Sequence, residues 1–199
     1  MGIEVEKDES QVEKVVERVE NLQDKSLEIG IFGEDDSEIL MIAKVNEYGM
    51  TIEPTNAEKL TIPLREEAIG VSPTEFDDLF VPEGTRVLAK EENDRIIPYY
   101  YLANSVEIPE RRFIRGAYEE KQKDMAKQAQ VLVEQYIHLR IDEDAFWSAL
   151  GQMLAGMVQS YLTELDEPPN SSITVTNKGS SNPLVDTGRL RQAITYKVR

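Results

Sequence analysis

The chain has 199 residues, of which 38 are acidic and 22 basic, a net charge of −16, with 40% hydrophobic residues and no cysteine. That composition supports a folded core rather than global disorder, and the missing cysteines exclude disulfides and thiolate chemistry and fit a reducing cytoplasm as the place of synthesis. No apolar run approaches the ~18 residues that span a bilayer, no secretory pattern opens the chain, and the acid excess disfavours non-specific DNA binding, which needs basic side chains to neutralise phosphates.

The charge is uneven. Residues 171–199 hold Lys178, Arg189, Arg191, Lys197 and Arg199 against Asp186 alone, a net of +4, which leaves −20 on residues 1–170. A basic end on an acidic body suits head-to-tail contact between copies; a solubilising surface with a chance basic end explains the charge equally well.

Residues 10–23 predict a helix. Val12, Val15, Val16, Val19 and Leu22 fall on one face, and Ser10 with Glu13 forms a capping-box pattern. Leu27, Ile29 and Ile31 alternate with Glu28 and Gly30 as in a half-buried strand, and Gly33 to Asp36 form an acidic turn. Ser37 starts a second helix with Ile39, Ile42, Ala43 and Asn46 inward, closed by Tyr48 and a left-handed Gly49. A buried Asn46 amide needs a hydrogen-bond partner, which points to a neighbouring loop.

Residues 50–108 are proline-rich and read as a β-rich lobe or arm. Leu60–Leu64, Arg86–Ala89 and Ile96–Leu102 are strand candidates, and Ser72-Pro73-Thr74-Glu75 predicts one helical turn. Pro98 favours an edge position, which would leave Tyr99 and Tyr100 as an exposed docking surface.

A long helix is expected from Pro109, with Phe113, Ala117, Met125, Ala129, Leu132, Val133 and Tyr136 as its buried stripe. Arg111, Arg112 and Arg115 near its start oppose the helix dipole, so a carboxylate from another segment or subunit is expected there. Asp142 caps a helix over 143–164 whose apolar face holds Phe146, Leu150, Met153, Met157 and Tyr161, with Gly151 and Ala155 permitting close approach. Pro168-Pro169 ends it, and Ile173 and Val175 precede a Gly/Ser-rich turn. In the terminal run, Pro183 fixes an extended lead-in, Asp186 or Thr187 caps a short helix to Gln192, and Ile194, Tyr196 and Val198 alternate as a strand. That strand is read as part of the domain's own sheet, with Arg189 and Arg191 projecting outward to grip acid on an adjacent subunit.

No catalytic constellation emerges. His138, the sole histidine, with Asp142 falls short of a closed metal site; Asp142, Glu143 and Asp144 read as a helix start; Ser180 and Ser181 have no base. No phosphate loop or dinucleotide pattern occurs, so no catalytic residue, cofactor or metal is assigned.

Three segments resemble one family. Ile42-Ala43-Lys44-Val45-Asn46-Glu47-Tyr48-Gly49 resembles the Ala-x-x-Asn-Glu-aromatic-Gly segment of the tail-completion or virion-morphogenesis proteins of Mu-like and lambdoid long-tailed phages. Ile108-Pro109-Glu110-Arg111-Arg112-Phe113 is similar to that family's Ile-Pro-x-Arg-Pro-Phe segment, and Pro168 to Lys178 followed by Leu184-Val185-Asp186-Thr187-Gly188-Arg189-Leu190 to its C-terminal signature. Arg112 replaces the usual proline, and some 60 residues separate the first two segments, which normally lie close together.

The resemblance implies a non-enzymatic virion protein, made in the host cytoplasm and built into the neck as a homo-oligomeric ring, taken as a hexamer. It would contact connector, neck, tail-tube or terminator proteins, with DNA only as passing cargo and no membrane. A tail-terminator ring is the alternative within this class, and an acidic DNA-mimic inhibitor the alternative outside it. The expected fold is α+β: a small mixed or antiparallel sheet packed with two longer helices over 1–49 and 108–199, and a β-rich insertion over 50–107. The expected subunit-interface residues are Arg111, Arg112, Arg115, Asp186, Arg189, Arg191, Tyr99 and Tyr100.

Overall fold

The computed structural model describes residues 9–33, 37–169, 184 and 188–199. The expectations for residues 34–36, Ile173, Val175, Ser180, Ser181, Pro183, Asp186 and Thr187 fall outside them. The elements are α1 (Glu9–Asp24), β1 (Leu27–Gly30), α2 (Ser37–Tyr48), β2 (Met50–Ile52), β3 (Leu60–Pro63), β4 (Val87–Glu92), β5 (Arg95–Ala103), β6 (Val106–Ile108), α3 (Phe113–Ile137), α4 (Glu143–Glu164), α5 (Arg189–Ala193) and β7 (Thr195–Val198), with 3-10 turns at Glu66–Ala68 and Pro73–Glu75. The fold is α+β with antiparallel sheets and two longer helices. The chain forms two compact units: Met1–Ala43, Arg112–Glu164 and Thr187–Arg199 in the first, Lys44–Arg111 and Leu165–Asp186 in the second. Among the described residues no helix is long and apolar enough to cross a membrane.

In the first unit α4 is the central element. It spans the expected 143–164, and Asp142 Oδ1 accepts from the Ala145 amide at 2.8 Å, capping it as its sequence indicates. Tyr136, Phe146, Trp147 and Leu150 form a buried cluster, with the Tyr136 and Phe146 rings stacked at 4.8 Å. β1 and β7 pair antiparallel, Leu27 opposite Val198 and Gly30 opposite Thr195, so the last strand belongs to its own chain's sheet.

Two glycines fix how close the neighbours of α4 come. A Cβ built on Gly151 would lie 2.2 Å from the Tyr196 ring of β7, and one on Gly116 of α3 would lie 2.6 Å from Tyr161 Oη of α4. The close approach expected at Gly151 is made by Tyr196. Tyr161 donates to Glu120 Oε1 at 2.8 Å. Burial, and then this hydrogen bond to a carboxylate, push its phenol up to about 12.

Two expectations are corrected here. The valine stripe of α1 is not buried: Val12, Val16 and Val19 are 62%, 51% and 39% exposed. Polar groups dock this helix instead. Arg18 donates to the carbonyls of Tyr136 and, at 2.7 Å, Ile141, and lies over the Tyr136 ring; Asn21 donates to Glu143, with which Lys25 is paired. Of the stripe, Val15 and Leu22 are half-buried, and Leu22 packs against the buried cluster. Second, α3 begins at Phe113, not Pro109, so Arg111 and Arg112 precede the helix and only Arg115 sits in its first turn.

The second unit leaves α2 through Gly49 (φ +70°), the expected left-handed terminator. β2 and β6 then form a two-stranded stem, Met50 opposite Ile108 and Ile52 opposite Val106. Beyond it lies a three-stranded antiparallel sheet ordered β3-β5-β4. Asn93 and Asp94, both at positive φ, make the two-residue turn joining β4 to β5. The turn at Pro73–Glu75 carries a complete capping box between Ser72 and Glu75.

Pro98 lies in the central strand, yet its missing N–H costs no ladder bond. Its partner Ala89 spends both backbone groups on Phe80, so Ala89 and Pro98 face each other as a non-hydrogen-bonded pair, and the β3 ladder ends at Pro63 opposite Tyr100.

Two outcomes test this packing. Gly151→Ala should lower unfolding free energy by about 1–3 kcal/mol in denaturant titration, because Tyr196 must move out of the sheet. Above pH 10 an unfolded tyrosine ionises while Tyr161 holds its proton to about 12, so the stability it contributes is complete below pH 10 and is lost as pH rises from 10 towards 12; Tyr161→Phe should flatten that alkaline loss in a melt series, and an unchanged profile refutes the assignment.

Candidate interface site

The expected interface residues separate into buried and exposed sets. Tyr99 and Tyr100 are 5% and 1% exposed, so the exposed tyrosine edge is not formed. A register shift between Leu88 and Ala89 places an extra residue in β5. Both rings then meet Phe76 edge-on, at 5.4 and 6.1 Å, around a core with Ala68. Their hydroxyls are satisfied inside the unit. Tyr99 Oη lies 3.1 Å from Glu67 and 3.0 Å from Glu92, and Tyr100 donates to the Val71 carbonyl at 2.9 Å. Burial is the chief reason that the Tyr99 phenol is raised to about 12, with the two carboxylates acting in the same direction.

Arg111 is also corrected from surface to interior. It is 5% exposed, and with Glu47 makes up the buried charged residues among those described. Its backbone N–H donates to the Asn46 carbonyl at 2.7 Å, Nη1 to Asn46 Oδ1 at 2.9 Å, and Nε to the Pro168 carbonyl at 3.1 Å. Burial draws its pKa below the ordinary guanidinium value. Asn46 therefore has the loop-holding role its placement suggested, and the loop it holds is the one that leads into α3. Gly49 completes the junction: a Cβ there would stand 3.0 Å from the Glu110 nitrogen and 3.1 Å from the Ile108 carbonyl. Segments about 60 residues apart in sequence, Asn46–Gly49 and Ile108–Arg111, thus form one packed joint at the base of the β2–β6 stem. The burial of Glu47 beside Asn46 was not foreseen: it entered only as part of the Asn-Glu-aromatic-Gly segment, and a helical glutamate by itself reads as surface.

Arg112 has φ +27° and ψ +45° as the residue before α3, and its side chain pairs with Glu119 on that helix. The positive charge at the helix start is thus offset within the same chain. Proline, locked near φ −65°, cannot adopt this backbone. Arg115 is half-buried. Arg189 is exposed and bonded to Glu38 at 3.2 Å, while Arg191 is exposed in the last turn of α5. Gly188, left-handed at φ +79°, occupies the position before α5 and brings no side chain to cap it. Asp186 lies outside the described residues.

Exposed apolar side chains gather beside the joint: Tyr48, Met50 and Ile52 stand at the α2 terminus and along β2. An apolar rim on a strand with one partner is interface chemistry. Among the described residues no group of three or more acidic or histidine side chains is placed to hold a metal; His138 Nδ1 stays with its own helix, 2.7 Å from the Glu134 carbonyl.

No protein-family model matches the chain. No curated protein matches it, and no solved structure does.

The Arg112 backbone gives a direct test. Arg112→Pro should lower unfolding free energy by more than ~1 kcal/mol, whereas Arg112→Gly, free at positive φ, should raise it by up to ~1 kcal/mol. Equal melting temperatures for the two variants would contradict the conformation described.

Proposed function

We propose that the protein is a structural part of a long-tailed phage particle, a tail-completion component at the head–tail junction that works as a ring of identical subunits. The observation that carries this reading is the joint between Asn46–Gly49 and Ile108–Arg111. In the family that these segments resemble, the two lie near each other in sequence. Here the β2–β6 stem returns the chain to the same point after a long excursion, which brings the two segments together despite their separation in sequence and supports this reading.

Charge supports the same reading. The acidic body and the exposed Arg189 and Arg191 offer opposite surfaces to neighbouring copies. The Arg189–Glu38 pair is exposed and worth only ~0–1 kcal/mol. Connector, neck and tail-tube or terminator proteins are the other partners. Excess acid facing the channel would keep DNA from sticking as it passes. The subunit acts by fitting, with no bond-making step of its own.

Quantitation of purified particles should find the protein in a fixed, low copy number, and Arg189→Glu with Arg191→Glu should leave a folded chain that fails to join heads to tails. Absence from mature particles, or normal joining by that double variant, overturns the corresponding part of the proposal.

A further inference from the structure

α1 docks on its unit with little apolar surface. Among its described side chains none is buried, and its inward face, Val15, Arg18, Asn21 and Leu22, is half-buried and half polar. Valines lose rotamer freedom in a helix, and a helix of 16 residues is marginal by itself in water, so this one persists through its docking.

That docking is polar and gathered at one corner. Arg18 donates to the carbonyl of Tyr136, in the last turn of α3, and at 2.7 Å to that of Ile141, in the turn that follows. Its guanidinium lies 4.6 Å from the centre of the Tyr136 ring. Asn21 donates to Glu143 Oε2 at 3.3 Å, and Lys25 pairs with Oε1 of the same carboxylate, at the start of α4. Beside these contacts runs a cleft of about 230 Å³ lined by Lys14, Glu17, Arg18 and Asn21 of α1 with Tyr136 and Glu143. The helix therefore meets the corner across a polar gap, without interlocked apolar side chains.

The core beneath has other cover. Of the described residues packed against Tyr136, Phe146, Trp147 and Leu150, α1 supplies Leu22; the others come from β1, α3, the α3–α4 turn and α4. Elements that bury few apolar contacts open separately from the core. The chain is also held firmly just beyond the helix. Ser26 exchanges both backbone hydrogen bonds with Arg199, at 2.8 and 2.9 Å, so the β1–β7 ladder reaches almost to Lys25 and the hinge falls at Asp24–Lys25.

We propose that α1 is a strap: it undocks as one piece while α3, α4 and the β1–β7 pair stay folded, and Arg18 and the Lys25–Glu143 pair are its fasteners. Docked, it covers two carbonyl oxygens, the Glu143 carboxylate and the Tyr136 ring face, all of them acceptors for a cationic side chain. Undocked, it uncovers them. The strap belongs to the single subunit, so this inference stands apart from the assembly reading above.

Hydrogen exchange of the full chain, followed by mass spectrometry, tests it. Protection in α1 should be measurable, yet at least about tenfold below that in the central turns of α3 and α4, as for a subglobal opening. Raising salt from about 0.1 M to about 1 M, which shortens the screening length from ~10 to ~3 Å, should lower protection in α1 without lowering it in α3 or α4. Glu143→Gln, which removes the charge and keeps the shape, should act as salt does, and so should Arg18→Met, which keeps a stem over the Tyr136 ring. Protection in α1 equal to that in α3 and α4 overturns the proposal. So does an α1 with no protection at low salt, or one whose protection neither salt nor either variant lowers.

Discussion

In the helical unit two absent Cβ atoms set how closely α3 and β7 approach α4. Tyr196 from β7 occupies the space beside Gly151, and Tyr161 of α4 fills the space beside Gly116 of α3. Because the last strand pairs with β1, the notch at Gly151 also places β1. Gln159 reinforces this side by donating to the Ile194 carbonyl at 2.9 Å. An aromatic ring against bare backbone leaves almost no freedom to slide, because interiors packed at crystal density resist a change of even one methylene.

The second unit relies on polar rather than apolar closure where its chain segments meet. A guanidinium buried at the foot of the stem is costly unless its donors are satisfied. Arg111 meets that requirement with carbonyl and amide oxygens from two other segments. Such a joint specifies one arrangement, since any shift strands a buried donor. The sheet beyond it has its own core, Ala68 with the two tyrosines, bordered by Phe76, Leu79, Leu88 and Ile97.

Much of this was legible from residue order. The extent of α4 followed from apolar spacing and the Asp142 cap, the turn at Ser72 from its capping box, the end of α2 from Gly49, and the role of Asn46 from an amide on an inward face. What escaped had physical reasons. Adjacent residues of a regular strand point to opposite faces, so Tyr99 and Tyr100 could not both be read as buried without knowledge of the bulge in their own strand. The valines of α1 define a face but not what covers it, and the anchoring of that helix through Arg18, Asn21 and Lys25 is a tertiary matter. Arg111 and Glu47 carry charges that read as surface until their partners fold around them. The positive φ of Arg112 has no signature in a residue that ordinarily avoids it.

The stem has a consequence for how such a chain changes over generations. Met50 and Ile108 stand opposite one another, so whatever lies between them departs and returns through a doorway one residue pair wide. Loop closure costs only a logarithm of the enclosed length. Everything hung on that doorway can therefore be shortened, enlarged or exchanged wholesale while the joint behind it keeps its geometry. A scaffold with this property presents a replaceable head on a constant shoulder, which lets one part be refitted to new neighbours without being redesigned.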